Sequence, residues 1–149
     1  LAFVKRELRL GSGQAEAHRR SLARVILLET RARAVRVILR DAAHAGDRAY
    51  RQTFEEMTER LLGRPLPMAL TGAIFAPRRD EPQRFSAIFL AAGRARDLLE
   101  EHDEDWYRNP RAVEQLRAEA ALPPAITVSN RALDAGATEL ERVLGSMLD

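Results

Sequence analysis

Apolar residues recur at alternating intervals of three and four through much of the first half of the chain. From Gly13 to Gly46 the sequence has no proline and no internal glycine. The apolar positions that form the repeat are Val25, Leu28, Ala32, Val35, Leu39 and Ala42, with Ile26 and Ile38 widening the stripe. Such a repeat is typical of a helix that packs along its length against other helices. The pattern predicts one helix of about 30 residues, roughly 45 Å long.

A second helix is predicted after the Gly46 break, with Asp47 as its N-cap and Gly63 as its end. Its inward positions are Tyr50, Phe54, Met57 and Leu61. Prolines at positions 65 and 67 then require extended backbone. The uncharged segment 68–76, which lies between these prolines and Pro77, predicts a short buried helical turn or an irregular segment.

A further helix is predicted to open near Pro82. Its inward positions are Phe85, Ile88, Phe89, Ala92 and Leu99. Residues 100–105 then bring five acids to its C-terminal end, where negative charge opposes the helix dipole. We therefore expect this helix to fray near His102, unless arginines meet the acids.

Two shorter helices complete the prediction. Val113 and Leu116 mark the first, which ends at the prolines 123 and 124. The apolar positions of the second are Leu140, Val143, Leu144 and Met147. Residues 125–128 (AITV) are the only strand candidate, and a single short strand has no partner to pair with. The sequence therefore predicts an all-α fold, an irregular helical bundle of about five to six helices with one long helix in the N-terminal half.

The length and the first residue of the chain shape the expected domain organisation. A chain of 149 residues is large enough to bury a core of its own, so we expect a single helical domain over residues 1–149. The chain begins with Leu1 rather than with methionine. It is therefore expected to be a processed form or a fragment of a larger protein.

Cysteine content and hydropathy bear on the expected cellular location of the protein. The chain has no cysteine, which excludes disulfides, thiolate nucleophiles and zinc–thiolate sites. The longest uncharged stretches, 65–77 and 120–130, are too short to cross about 30 Å of hydrocarbon as helices. The first residues lack the basic and apolar regions of a signal peptide. We therefore expect a soluble, cytoplasmic protein with no membrane partner.

Charge is distributed unevenly along this arginine-rich chain. Residues 1–75 carry 14 basic and 8 acidic side chains, whereas residues 76–149 carry 10 and 14. Only one basic residue is a lysine, a bias that we attribute to genome base composition. Seven arginines lie within residues 14–40, but they spread around the helix with no aromatic side chain among them, which argues against a nucleic-acid partner. Glu29 and Arg33 have the spacing of a favourable ion pair within a helix.

The sequence contains no recognisable pattern of reactive residues. A zinc peptidase helix needs His-Glu-x-x-His and a di-iron bundle needs two Glu-x-x-His pairs, and both motifs are absent. Surface positions are expected instead for the residues with metal-binding chemistry, namely His18, His44, His102, Glu55, Glu56 and Glu59. We therefore predict no catalytic residue, no metal ligand and no cofactor.

The stretch DEDWYRNPRA holds the only tryptophan of the chain. Asn109 followed by Pro110 predicts the N-cap and the first residue of a helix. In this interpretation Trp106 and Tyr107 fold onto the apolar side of the new helix and set its angle to the preceding one. Alternatively, because Trp and Tyr often anchor interfaces, an interaction surface is formed by Trp106, Tyr107, Asp103 and Asp105.

The order of these elements resembles that of a known peptidase family. A long helix is followed by a helix with Phe54, Met57, Leu61 and Gly63, by an uncharged proline-bounded segment, by another helix and by HDEDWYRNPRAVEQL. Over about residues 15–120 this order is similar to the C-terminal helical part of bacterial zinc metallopeptidases of the thimet-oligopeptidase type. In that family a His-Glu-x-x-His helix and a downstream glutamate hold the catalytic zinc. Because that motif is absent here, the resemblance implies a scaffold portion and carries no catalytic residue over to this chain.

Two functions follow from these observations. In the first, the chain is a non-catalytic helical scaffold segment whose partner is the rest of a larger chain, and the enzyme, if there is one, is a zinc metallopeptidase. In the second, the chain is a stand-alone helical protein–protein interaction module that docks a protein partner on the long apolar seam or at Trp106. An uncovered seam would also support a homo-oligomer.

Overall fold

The computed structural model describes residues 9–76, 78–121 and 128–149. Within these ranges the chain forms five helices of at least 12 residues and no strand. The helices are α1 (Ser12–His44), α2 (Asp47–Leu62), α3 (Glu81–His102), α4 (Pro110–Ala121) and α5 (Asn130–Leu148). The predicted all-α fold with one long helix in the N-terminal half is therefore confirmed. Residues 125–127 of the strand candidate AITV (125–128) and the prolines at 123 and 124 lie outside the described residues.

Three single turns supplement these helices. Met68–Leu70 and Trp106–Arg108 are 3-10 turns, and Thr71–Ile74 is one turn of α-helix. The helical turn predicted within residues 68–76 is thus confirmed, but its predicted burial is wrong at Leu70, which is 39% exposed. None of the helices in the described part of the chain is both long and apolar enough to cross a membrane.

Glycines with positive φ bound α2 at both ends. Gly63 has a φ of 73°, and its N–H donates to the carbonyl of Glu59 at 2.8 Å, which ends the helix as predicted. Gly46, with a φ of 106°, occupies the N-cap position. The prediction of Asp47 as N-cap is therefore wrong by one residue. Asp47 already lies in the first turn, where its charge complements the helix dipole.

The chain divides into two compact units. The first unit is Val25–Ala87, and the second consists of the described residues of Leu1–Arg24 and Ile88–Asp149. Each unit buries apolar side chains of its own. The single domain expected from the length of the chain stays a prediction.

The core of the unit Val25–Ala87 combines aliphatic and aromatic side chains from α1, α2 and the residue that follows the Thr71–Ile74 turn. Its buried members are Val35, Leu39, Phe54 and Phe75. The two phenylalanine rings meet edge to face, with centroids 6.0 Å apart. Full burial of a side chain of this size contributes roughly 1.5–3 kcal/mol to stability. The predicted inward positions Val35, Leu39 and Phe54 are confirmed.

The predicted buried seam of α1 is wrong at three positions of this unit. Val25 is 62% exposed, Leu28 is 52% exposed and Ile38 is 42% exposed. Spacing identifies a stripe on a helix, but the elements that pack against the helix decide which part of the stripe is covered. In this unit the covered part consists of Ala32, Val35 and Leu39.

A buried hydroxyl holds the segment that follows α2. The Thr58 hydroxyl donates to the carbonyl of Phe54 at 2.8 Å and accepts a hydrogen bond from the N–H of Leu66 at 3.1 Å. The extended backbone between the two prolines is therefore tied to the preceding helix, which positions the Thr71–Ile74 turn that comes after it.

In the second unit, glycines permit a close approach between α3 and α5. A Cβ atom added at Gly136 would collide with the backbone of Phe89, and a Cβ atom at Gly93 would lie 3.8 Å from the Cα atom of Gly136. Apart from Glu139, the buried residues described in this unit are small or aliphatic, namely Ala15, Ala23, Leu98, Ala112, Gly136 and Leu144.

Near the end of α3, the leucine that is buried is not the one that the sequence predicts to be buried. Leu98 is 2% exposed, whereas Leu99, the predicted inward residue, is 40% exposed. Adjacent residues lie about 100° apart around a helix, so the two leucines face different neighbours. The apolar pattern cannot distinguish them because both residues are leucine. The helix ends at His102, the residue near which fraying was expected, and Asp103 follows with a φ of 66°.

Candidate functional site

The interaction surface predicted from the sequence lies on the short turn between α3 and α4. Trp106 and Tyr107 are half-buried, and their rings meet edge to face with centroids 6.2 Å apart. The Tyr107 hydroxyl donates to Oδ1 of Asp105 at 3.3 Å, while Asp103 is exposed. The turn packs against α4. The four predicted residues are therefore brought together, and their role as an interaction surface stays a prediction.

Asn109 starts α4 as the sequence predicts. The N–H of Arg111 donates to Oδ1 of Asn109 at 3.0 Å, and the N–H of Val113 donates to the Asn109 carbonyl at 3.1 Å. Pro110 is the first helical residue, where the N–H that proline lacks would have no partner within the helix. The interpretation of this stretch as a helix start is confirmed.

Replacing Asn109 by alanine is expected to lower the free energy of unfolding by about 1 kcal/mol, because the Arg111 amide loses its side-chain acceptor. Urea denaturation followed by circular dichroism measures this loss. Asn130→Ala is the matched control, since Asn130 lies just inside α5 and Ser129 caps that helix. The control is expected to change stability by less than about 0.5 kcal/mol. Equal losses in the two variants would contradict the capping role of Asn109.

The cavity beside this turn is acidic. It has a volume of about 550 Å³ and is lined by His102, Asp103, Glu104, Asp105, Arg108 and Asn109. Arginines of α3 meet part of the negative charge near the end of that helix. Nη1 of Arg94 lies 3.9 Å from Oε2 of Glu101, and Nε of Arg96 lies 3.7 Å from Oε1 of Glu100. These pairs offset some of the unfavourable interaction between the acids and the helix dipole.

Metal-binding chemistry is not assembled in the described residues. No group of three or more His, Cys, Asp or Glu side chains in residues 9–76, 78–121 and 128–149 is placed to hold a metal ion. The His102 ring instead lies 3.0 Å from Oε1 of Gln115.

A second cavity, which sequence reasoning missed, lies within the unit Val25–Ala87. We call it the arginine cavity. It has a volume of about 310 Å³ and is lined by Glu29, Arg33, Arg36, Gly72, Ala76, Arg78 and Glu81. The charged residues come from α1, from the start of α3 and from the segment before α3, while Gly72 and Ala76 leave space because they carry little or no side chain.

A buried carboxylate anchors one side of the arginine cavity. Glu81 is 1% exposed, and its Oε1 accepts a hydrogen bond from Nε of Arg36 at 2.9 Å. The same oxygen lies 3.6 Å from Nη1 of Arg33. A buried carboxylate without a nearby cation strongly lowers the stability of the folded state. The Arg36 guanidinium is therefore required at its observed position.

A more exposed carboxylate lies on the other side of the two guanidinium groups. Oε1 of Glu29 lies 2.8 Å from Nη2 of Arg33 and 3.5 Å from Nη2 of Arg36. The Glu29 side chain is 48% exposed. Ion pairs of this exposed kind contribute only about 0.2–1 kcal/mol, so a competing anion can replace Glu29 at low cost. The Glu29–Arg33 pair predicted from the sequence is confirmed.

The lining of the arginine cavity is positively charged. Its residues include three guanidinium groups and two carboxylates, which leaves one positive charge in excess. Next to the cavity, a hydrogen bond from Arg84 lowers the pKa of Asp80, so Asp80 and Arg84 form a separate pair. Among the described lining residues there is no hydroxyl, thiol or imidazole that could act as a nucleophile. The excess positive charge favours binding of an anion.

Part of this site is visible in the sequence. Glu29, Arg33 and Arg36 are spaced so that all three lie on one face of a helix. Glu81 is 45 residues away from Arg36 along the chain, and no local pattern connects the two. The sequence therefore predicts only an ion pair within a helix, because the fold alone brings the buried carboxylate to it.

Comparison with known proteins adds no relative. No protein-family model, no curated protein and no solved structure matches this chain.

Proposed function

We propose that this chain is a non-catalytic helical interaction module that binds an anionic group, a carboxylate or a phosphate, in the arginine cavity. The observation that carries the proposal is the placement of Arg33 and Arg36. Both line the cavity, and both are held by the buried carboxylate of Glu81. A guanidinium group matches the planar geometry of carboxylate and the oxygens of phosphate, so the residue type suits the ligand.

Preorganisation supports the proposal. A flexible arginine loses side-chain entropy when it binds a ligand, at a cost of about 0.5–1.5 kcal/mol for each side chain that is immobilised. Glu81 removes most of that cost for Arg36, which is 15% exposed and already fixed at 2.9 Å. Arg78, which is exposed at the rim of the cavity, adds a third cation that a ligand can reach.

The anion can belong to a separate protein or to the rest of a longer chain. The scaffold function expected from the metallopeptidase resemblance is therefore compatible with this proposal and remains a second proposal, supported by the resemblance alone. A cytoplasmic location and a homo-oligomer remain predictions.

Titration with inorganic phosphate and with acetate tests the function. In two-dimensional ¹H–¹⁵N NMR spectra, we expect saturable shifts of the Gly72, Ala76 and Arg78 amides with a dissociation constant of about 1–10 mM. Such an affinity corresponds to a few ion pairs that remain accessible to water.

Three variants test whether the anion binds in the arginine cavity. Arg78→Gln removes a cation from the rim, and we expect binding about two- to fivefold weaker. Glu29→Gln removes the competing carboxylate, and we expect binding stronger by a similar factor of about two to five. Arg79→Gln removes the same charge from a neighbouring residue outside the lining and should leave binding unchanged. Equal effects of Arg78→Gln and Arg79→Gln, or shifts spread over all arginine-rich surfaces, would refute the proposal.

A further inference from the structure

We infer that the arginine cavity takes its anion from an acidic amphipathic protein segment, which at the same time covers the exposed apolar residues Val25 and Leu28 of α1. This inference rests on the proposed function, because it names the kind of molecule that carries the anionic group. It also assigns a role to Val25 and Leu28, which are 62% and 52% exposed to solvent.

The apolar residues and the cavity lie along one face of the same helix. Glu29 follows Val25 by four residues and Arg36 follows it by eleven, and both intervals return to nearly the same side of an α-helix. Leu28 is the neighbour of Val25 at a spacing of three. Val25 stands about 12 Å from Arg33 along the helix axis, since eight residues separate them at about 1.5 Å each.

A free phosphate ion or a small carboxylate cannot use this arrangement. Such an ion fills part of the cavity but does not reach Val25, roughly two helical turns away. A protein segment spans this distance, and an amphipathic helix presents apolar and acidic side chains at matching intervals. The cations of the cavity select for acidic residues in that segment, since charges of opposite sign across an interface favour the correct partner.

The same charges argue against a basic partner, and the apolar residues Val25 and Leu28 beside them argue against nucleic acid, which has no apolar side chains to cover them. Arg33, Arg36 and Arg78 repel a basic segment, and the described lining of the cavity has no aromatic side chain on which a base could stack. An acidic segment with apolar residues at one end therefore matches both the exposed apolar residues Val25 and Leu28 and the arginine cavity.

Designed peptides provide the probe. A helical peptide of about 16 residues carries leucines at two positions three apart and glutamates at positions eight and eleven beyond the first leucine. This spacing matches that of Val25, Leu28, Arg33 and Arg36 in either direction of the peptide. A second peptide has serines in place of the leucines. Binding of both is measured by fluorescence anisotropy, in parallel with the phosphate titration.

Val25→Ser is expected to weaken binding of the leucine peptide about tenfold, because burial of a valine side chain no longer contributes. Phosphate binding should be unchanged in this variant. Ile38→Ser is the matched control, since Ile38 is also exposed, at 42%, but lies on the opposite side of α1 from Glu29. It should bind peptide and phosphate as the unchanged chain does.

Each outcome separates the two claims. Normal phosphate binding together with equal affinities for the leucine and serine peptides, or no effect of Val25→Ser, would overturn the inference and leave the proposed function standing. Absence of saturable phosphate binding would refute the proposed function itself. If light scattering shows a dimer that Val25→Ser abolishes, a second copy of this chain covers Val25, and the acidic partner is excluded.

Discussion

Substitution of Gly136 by alanine is expected to destabilise the protein by about 3 kcal/mol or more. The added Cβ atom would overlap the backbone carbonyl group of Phe89. A clash with a flexible side chain is relieved by rotation, but a backbone atom inside a helix cannot move alone. The α3 and α5 backbones must therefore separate locally, and the side chains packed around this approach lose contacts.

Gly93→Ala is the matched control for Gly136→Ala. A Cβ atom at Gly93 would meet the Cα atom of Gly136 at 3.8 Å, which is an ordinary van der Waals distance. Alanine in a helix interior is favoured over glycine by about 1 kcal/mol, so this variant should match or exceed the stability of the unchanged chain. Urea denaturation of both variants measures the difference. If Gly136→Ala proved as stable as Gly93→Ala, the close approach of the two helices would be wrong.

Local signals in the sequence predicted most of the helices and several of their ends. Asn109 before Pro110 marks the start of α4, and Gly63 marks the end of α2. These features depend on the backbone within a few residues, so the sequence around them contains the required information. The Gly46 N-cap shows the limit, because Asp47 is the better capping residue by type and yet a glycine was needed for the positive φ.

The sequence did not predict which face of a helix its neighbours cover. Val25 and Leu28 continue the apolar repeat of α1 but remain exposed, and Leu98 is buried where Leu99 was expected. Each error has the same physical origin, since periodicity describes one helix and burial depends on the elements that pack against it. Gly136 illustrates this as well, because no local pattern distinguishes it from Gly93.

The arginine cavity was only partly accessible from the sequence for the same reason. The Glu29–Arg33 spacing predicted an ion pair that the structure confirms at 2.8 Å. Glu81 could not be connected to it, because Arg36 and Glu81 are 45 residues apart and meet through the fold. A buried carboxylate at this place changes the interpretation of the arginines, since it turns mobile surface charges into groups that are held in position.

Replacing Arg36 by methionine is expected to lower the free energy of unfolding by about 3 kcal/mol. The buried Glu81 carboxylate would then lose the Nε donor at 2.9 Å, and Arg33 at 3.6 Å would compensate only in part. Thermal and urea denaturation measure this loss. Because the Glu81 side chain is 1% exposed, water at its observed position does not replace the lost donor.

A double variant, Arg36→Met with Glu81→Leu, separates stability from function. Removal of both members of a buried ion pair is often neutral or stabilising, so we expect this variant to recover most of the stability that Arg36→Met loses. Phosphate binding should not recover with it, because the anchored guanidinium is absent. Stability restored without binding would mean that the buried pair is retained for the ligand. A double variant less stable than Arg36→Met alone would instead mean that the pair is needed for the fold of its unit, and the assignment of Glu81 as the anchor of a binding site would be wrong.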